Sequence, residues 1–173
     1  VPRVAAKIRQ SIEAGINEKG GITKMMFNMA VKSKIKALKK AKPETPIALG
    51  KGGIWDKLVF SKTAALLGGR IQHIACGAAM LRPEDGQFMK AAFCCEVISG
   101  YGSSETASIG SCTLNHLVKY RGVGHRFSDC EMRIVSYPAL GYEACPEDGS
   151  NPKGELQMRG PTVFAGYYKN PEA

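Results

Sequence analysis

The sequence predicts an α/β fold in which a parallel βαβ unit is flanked by helices and followed by a β-rich segment. The first third of the chain repeats apolar residues at helical spacing. A short apolar run, a helix-like stretch and a second short apolar run come next. We therefore divide the chain into a mainly helical basic segment over residues 1–69, a βαβ unit with its following loop over 70–106, and a β-rich segment over 107–173.

Two amphipathic helices are expected at the start of the chain. The first follows a Pro suited to a first helical turn and has an apolar residue at every fourth position, at Val4, Ile8, Ile12 and Ile16. Gly20 and Gly21 interrupt this pattern. A second apolar stripe, which we expect to face the core, consists of Ile22, Met25, Met26 and Met29. The second helix should end near Pro43, because Pro cannot continue a helix and restrains the residue before it.

A loop and a third helix are expected to follow. Residues 43–53 are rich in Pro and Gly, which predicts a loop. Trp55 to Leu67 has the composition of another helix, and Gly68 and Gly69 provide its stop signal.

The central part of the sequence predicts one βαβ unit. Arg70 to Cys76 and Glu96 to Ser99 are the strand candidates, and Pro83 to Phe93 is the helix between them, with Pro and acidic residues in its first turn. Parallel strands place ligands beyond their carboxyl ends. Because both strands run into small residues, at Gly77 and at Gly100, we expect a binding site there.

The last third predicts further strands. Glu131 to Ser136 and Glu155 to Arg159 alternate polar and apolar residues as half-buried strands do. Residues 141–154 between them carry Pro and Asp-Gly, which indicates a loop or hairpin connection.

The formal net charge of +9 lies entirely in the first part of the chain. Residues 1–62 hold 14 Lys and Arg against 4 acids, whereas residues 63–173 hold 10 against 11. The densest run contains Lys32, Lys34, Lys36, Lys39, Lys40 and Lys42. A solvated helix face, an anionic membrane surface and an acidic ligand all remain open as explanations. Nucleic acid is a further explanation of such a run. The absence of aromatic residues between these lysines weakens it, and no nucleic acid partner is expected.

The six cysteines are expected to be reduced and mostly buried. They are Cys76, Cys94, Cys95, Cys112, Cys130 and Cys145. None forms a C-x-x-C pair, and no His lies at a metal-ligand spacing from two of them, so the pattern favours a cytoplasmic protein and no zinc site. The sequence starts without Met and has neither a signal peptide nor a bilayer-spanning apolar run, and we expect it to begin inside a longer protein.

Residues 99–106, Ser-Gly-Tyr-Gly-Ser-Ser-Glu-Thr, combine three kinds of ligand-binding group after a strand. The glycines around Tyr101 let the backbone approach a ligand closely, and the Tyr101 ring offers a surface for stacking. Ser104 offers a hydroxyl to a phosphate oxygen, and Glu105 offers a hard carboxylate suited to Mg²⁺. The residues alone are consistent with a nucleotide site, although such loops are common without one.

Three motifs resemble those of the adenylate-forming enzymes, and they follow one another along the chain as they do in that family. The family includes acyl-CoA synthetases, luciferases and peptide-synthetase adenylation domains. Tyr101 to Glu105 (YGSSE) is similar to the Y-G-x-T-E motif. Gly154 to Tyr167 (GELQMRGPTVFAGY) is similar to the later G-E-[IL]-x-x-R-G-x-x-V-x-x-G-Y motif. Gly77 to Leu81 (GAAML) resembles the G-A-A-P-L turn, with Met80 in place of Pro. The resemblance implies that the chain is part of the large N-terminal domain of such an enzyme.

The flanking residues resemble long-chain fatty acyl-CoA synthetases of the eukaryotic type. The segments that carry this resemblance are Val1 to Val4, Trp55 to Phe60, Leu67 to Arg70 and Arg159 to Phe164. It implies activation of a fatty acid with ATP to an acyl-adenylate, followed by transfer of the acyl group to coenzyme A. A related ligase for short or aromatic acids is the alternative within this family, and a basic module that binds membranes or nucleic acid is the alternative outside it.

The resemblance also implies roles for individual residues. Tyr101 would lie against adenine, and Glu105 would bind Mg²⁺. Ser104 stands where the family usually has Thr, and its hydroxyl would hydrogen-bond the α-phosphate. Ser104 and Glu105 are thus the candidate catalytic residues. The candidate residues for binding ATP are Gly77, Ala78, Ala79, Gly100, Tyr101, Gly102 and Ser104.

The expected partners are the fatty acid, ATP and CoA, with Mg²⁺ as the metal. We expect a cytoplasmic location, and peripheral contact with an endomembrane such as the endoplasmic reticulum stays open. The chain contains neither the family's Ser/Thr/Gly-rich phosphate loop nor its Thr-Gly-Asp motif nor the C-terminal domain with its catalytic Lys. We therefore expect this polypeptide alone to form no acyl-CoA.

Overall fold

The computed structural model describes residues 2–40, 53–113 and 122–170. They form two compact units, one made of Val1–Gly100 with Thr113–Gly124 and the other of Tyr101–Cys112 with His125–Ala173. The three-part division expected from the sequence stays a prediction. None of the helices in the described ranges combines the length and the apolar character needed to cross a bilayer.

The first unit contains the helices and the parallel strands. Helices α1 (Pro2–Lys19) and α2 (Gly21–Lys40) begin it, and a π-helical turn (Asp56–Phe60) leads into the short α3 (Ser61–Ala65). These elements confirm the three helices expected here. The predicted loop over residues 43–53 and the predicted end of α2 near Pro43 lie almost wholly outside the described residues.

The predicted βαβ unit is confirmed. Strand β1 (His73–Cys76), helix α4 (Pro83–Phe93) and strand β2 (Glu96–Tyr101) follow in order, and β1 pairs with β2 in parallel. Helix α4 ends where Cys94 adopts a left-handed conformation with φ of 52°. The pairing places Cys76, the last residue of β1, opposite Ser99, and β2 continues to Tyr101.

An aromatic cluster forms the centre of the core in this unit. The ring centroid of Phe27 on α2 lies 6.3 Å from that of Phe60 and 6.3 Å from that of Phe88 on α4. All three rings are buried. Packing of this kind, rather than helix propensity, supplies most of the stability of short helices.

The prediction that the Met stripe of α2 faces the core is wrong for three of its four residues, whereas Met26 is half-buried. Ile22, Met25 and Met29 are 72%, 57% and 52% exposed. The helix instead buries the face that carries Phe27, Ala30 and Leu38. The reason is that Phe27 reaches the aromatic cluster, and its anchoring turns the apolar stripe outward.

Several charged groups in this unit are paired within the interior. Lys34 of the lysine run forms an ion pair with Asp56, and its Nζ lies 2.9 Å from Sγ of Cys94. The buried Nζ of Lys90 lies 2.6 Å from a carboxylate oxygen of Glu96. Such pairing offsets the cost of removing charges from water. The lysine run is therefore not uniformly a solvated face.

Four of the six cysteines are buried, as predicted: Cys76, Cys94, Cys95 and Cys130. All six are free thiols. Burial raises the pKa of Cys76 and of Cys94, which keeps these thiols protonated.

The second unit is built from antiparallel strands, which confirms the β-rich prediction. Strand β3 (Ser111–Cys112) pairs with β4 (His125–Arg126), and β5 (Glu131–Val135) pairs with β6 (Glu155–Arg159). The guanidinium of Arg159 donates to the Glu131 carboxylate across the second pair, with Nε at 3.1 Å.

Candidate functional site

The turn after β1 brings two of the predicted site residues together. A Cβ placed on Gly77 would lie 3.7 Å from the carbonyl oxygen of Gly100, which is ordinary contact. Ala78 has a φ of 66°, a left-handed conformation that is uncommon for residues other than Gly, Asn and Asp. Ala78 and Ala79 are exposed. The roles expected of these residues in nucleotide binding stay predictions.

The remaining candidates lie in the Tyr101–Thr106 loop of the second unit. A 3-10 turn over Ser104–Thr106 shapes this loop. Thr106 is buried, and its hydroxyl oxygen accepts a hydrogen bond of 3.0 Å from the backbone N–H of Ser103. The carbonyl of Ser103 in turn accepts from Ser108 N at 2.9 Å. These bonds hold the loop with Ser104 exposed.

Close backbone packing explains why a glycine occupies position 102. A Cβ added to Gly102 would lie 2.2 Å from the carbonyl oxygen of Ser108 and 2.6 Å from the Cα of Ile109. Neither atom belongs to a side chain that could rotate away. The packing of residues 108 and 109 is a requirement for glycine that the sequence did not show, and the ligand role predicted for Gly102 stays a prediction.

Glu105 is held from two directions by one later segment. The Tyr167 hydroxyl donates a hydrogen bond to the Glu105 carboxylate. The backbone N–H of Phe164 donates to the carbonyl oxygen of Glu105 at 2.9 Å. The structure thus joins the YGSSE motif to the last residue of the second motif.

These contacts stabilise the ionised form of Glu105. The hydrogen bond from the Tyr167 hydroxyl and a weaker one from the Ser103 hydroxyl lower the pKa of Glu105 to about 2. The same contact raises the pKa of Tyr167, so this hydroxyl remains a donor. At neutral pH Glu105 is an ionised carboxylate, as it would be at the ordinary pKa of Glu, and it is an acceptor of hydrogen bonds and a hard ligand for a cation.

We expect the side-chain carbon of Glu105 to titrate by NMR with a midpoint near pH 2 instead of 4.5. The pKa of Glu105 is lower in the folded state than in the unfolded state. The hydrogen bonds to its carboxylate therefore stabilise the fold at pH values above the ordinary pKa of 4.5, and this stabilisation is lost as the pH falls through about 2. Tyr167→Phe should move the midpoint up towards 4.5. A midpoint near 4.5 in the unaltered protein would contradict the assignment.

Tyr167 is the residue at this site that sequence reasoning missed. It lies 62 positions from Glu105, and no local pattern connects the two. The later motif could have pointed to Tyr167, since this motif ends in Gly-Tyr at positions 166 and 167. Tyr101, Gly102, Ser104 and Glu105 share one ordered loop, and their convergence on a ligand stays a prediction.

Comparison with known proteins agrees with these motifs. A family model described as AMP-binding enzyme matches residues 20–168. The chain is 39% identical over 171 residues to fatty acyl-CoA synthetase A of Dictyostelium discoideum, covering 99% of this chain and 24% of that protein. It is 36% identical over 172 residues to the peroxisomal long chain acyl-CoA synthetase 6 of Arabidopsis thaliana, covering 98% and 23%. The chain thus spans about a quarter of the length of these relatives.

Solved structures show the same relationship. The A-PCP didomain of carboxylic acid reductase from Segniliparus rugosus, in complex with AMP, is similar with a TM-score of 0.52 and 25% identity, covering 83% of this chain and 18% of that one. The adenylation domain of a carboxylate reductase from Mycobacterium chelonae has a TM-score of 0.50 and 27% identity, covering 83% and 20%. Family model, relatives and fold agree, and the chain belongs to the AMP-binding enzyme family.

Proposed function

We propose that this chain is part of a long-chain fatty-acid–CoA ligase, which activates a fatty acid with ATP to an acyl-adenylate and transfers the acyl group to coenzyme A. The observation that carries the proposal is the hydrogen bond by which Tyr167 holds the Glu105 carboxylate in the Tyr101–Thr106 loop. The identity to fatty acyl-CoA and long chain acyl-CoA synthetases over nearly the whole chain supports the substrate class.

The loop offers the groups that adenylation requires. Joining a carboxylate to ATP brings two anions together and develops charge at the α-phosphate. The exposed Ser104 hydroxyl is available to donate a hydrogen bond to a phosphate oxygen. Tyr101 is 41% exposed, which leaves ring surface available for stacking on adenine.

Glu105 fits a magnesium ion by its donor chemistry. Mg²⁺ prefers oxygen ligands and is commonly held by one or two carboxylates together with substrate phosphates and waters. A single ionised carboxylate on an exposed loop meets that need. When bound, Mg²⁺ would neutralise charge on the phosphates. Glu105 would hold it, and Tyr167 would keep the carboxylate in place.

The test uses the complete polypeptide that carries this sequence. We expect AMP release that depends on palmitate, ATP and CoA together, and much weaker release with acetate or benzoate. Preference for acetate or benzoate would support the alternative ligase for short or aromatic acids. Absence of AMP release with every acid, by a folded protein, would contradict the proposed function.

We also propose a peripheral contact between α2 and an anionic membrane, in a cytoplasmic protein. The exposed face of α2 carries Ile22, Met25 and Met29 in its first half. Lys32, Lys36 and Lys40 are exposed in the second half. An apolar patch beside a basic one suits an interface of lipid tails and anionic headgroups.

The complete polypeptide should sediment with vesicles that contain phosphatidylserine. Each Lys near such a surface contributes about 1 kcal/mol, so replacing the three exposed α2 lysines by Ala should weaken binding about a hundredfold. The matched control removes the same charge elsewhere in the helical unit, from the exposed Lys7, Lys57 and Lys62. Equal loss in both variants would indicate non-specific attraction, and no sedimentation at all would contradict the contact.

A further inference from the structure

We infer that Tyr167 is a positioning residue, which orients the Glu105 carboxylate towards the metal and nucleotide. The inference rests on the proposed function and adds a residue to it. Tyr167 donates its hydroxyl hydrogen to one carboxylate oxygen of Glu105. The Ser103 hydroxyl also donates to this carboxylate, but more weakly, so Tyr167 is the main contact that sets the direction of the carboxylate.

The segment that carries Tyr167 is itself held firmly. The rings of Phe164 and Tyr167 pack edge to face, with centroids 4.8 Å apart. The carbonyl of Tyr167 accepts a hydrogen bond from Asn170 N at 3.2 Å. Gly166 has a φ of 147°, in the region that favours glycine, and this directs the chain into Tyr167. The ring of Tyr167 is therefore held by Phe164 and its backbone by Asn170, independently of the contact with Glu105.

Two contacts from one segment restrict Glu105 at both ends. The amide of Phe164 holds its backbone carbonyl at 2.9 Å, and the hydroxyl of Tyr167 holds its carboxylate. A free Glu side chain in an exposed loop would sample several rotamers and lose that freedom on binding a metal. Restricting it in advance reduces this loss, and partners of this kind are generally important for metal affinity.

Packing alone could also explain the position of Tyr167, and one substitution separates the two explanations. Tyr167→Phe keeps the ring and its contact with Phe164 but removes the hydroxyl. Tyr168→Phe removes a hydroxyl from the next residue, which is 88% exposed and whose ring faces the Lys169 ammonium. Each variant loses one hydroxyl and keeps its ring, but only Tyr167→Phe removes a hydrogen bond to Glu105.

The experiment measures binding of α,β-methylene-ATP to the complete polypeptide by calorimetry, with Mn²⁺ present and with EDTA present. The ratio of the two affinities reports the contribution of the metal. Tyr167→Phe should reduce this ratio about tenfold and leave binding in EDTA unchanged, while Tyr168→Phe should change neither. An unchanged ratio in Tyr167→Phe would overturn the inference, whether binding is unaffected or is weakened equally with and without metal.

Glu105→Gln, measured alongside, separates this inference from the proposed function. If Glu105→Gln abolishes the metal contribution and Tyr167→Phe does not reduce it, only the inference fails. If Glu105→Gln retains the full metal contribution, the metal role proposed for Glu105 fails and the inference with it. Thermal unfolding of each variant confirms that affinities are compared between folded proteins.

Discussion

Glu105→Gln should lower the rate of palmitate adenylation in the complete polypeptide about 100- to 1000-fold, equivalent to about 3–4 kcal/mol of transition-state stabilisation. The substitution removes the negative charge that would hold Mg²⁺ and leaves a side chain of nearly the same shape. Gln still offers an oxygen to the Tyr167 hydroxyl, and the carbonyl of residue 105 still accepts from Phe164 N. The loop should therefore fold as before, and the loss should appear in chemistry rather than in stability.

The matched control for this prediction is Glu131→Gln. Glu131 lies in the same unit on β5 and pairs with Arg159, but its side chain is 68% exposed and that of Arg159 is 82% exposed. An exposed pair of this kind contributes about 0–1 kcal/mol to stability. Palmitate-dependent exchange of pyrophosphate into ATP gives the readout. If the two variants retained similar rates, Glu105 would have no special role in the reaction.

The parts of the fold that the sequence predicted well depend on local signals. Helix α4 has the predicted bounds of Pro83 and Phe93 because Pro and two acidic residues define its first turn. Strands β1 and β2 were recognisable as short apolar runs on either side of this helix, and a connection through a helix favours parallel pairing. The β5–β6 hairpin was predictable from period-two alternation around a turn-rich connection.

The parts that the sequence predicted badly depend on contacts between distant residues. The exposed stripe of Ile22, Met25 and Met29 has the same helical spacing as a buried one, and only the contacts of Phe27 with Phe60 and Phe88 decide which face of α2 is inside. Short helix signals also do not distinguish the π-helical turn of Asp56–Phe60 from an α-helix.

The site shows the same limit. The types of residue in the Tyr101–Thr106 loop predict a nucleotide site, because a ring, a hydroxyl and a carboxylate lie within five positions, and this role stays a prediction. The lowered pKa of Glu105 was less accessible, since it depends mainly on Tyr167 far along the chain. The function of Gly102 was also hidden, because its constraint comes from the backbone of residues 108 and 109.

Gly102→Ala should destabilise this loop by about 1–3 kcal/mol, the usual cost of forcing an extra methyl group into a packed site. The new Cβ would lie 2.2 Å from the carbonyl oxygen of Ser108, so the backbone of the loop must move. Ala107 and Ser108 already have left-handed φ angles of 51° and 80°, which leaves these residues few alternative conformations. The strain should therefore spread to the hydrogen bonds that close the loop.

Amide hydrogen exchange in the complete polypeptide measures this effect locally. The amides of Ser108 and Gly110, which bond to Ser103 O at 2.9 Å and Tyr101 O at 2.8 Å, should exchange about 5- to 150-fold faster in Gly102→Ala. Gly15→Ala is the matched control, because its Cβ would meet no atom within 4 Å and an interior helical Gly is destabilising by about 0.5–1 kcal/mol relative to Ala. That variant should leave both amides unchanged and slow exchange within α1. Unchanged exchange of Ser108 and Gly110 in Gly102→Ala would mean that the loop can absorb a methyl group, and close packing would then not explain the glycine.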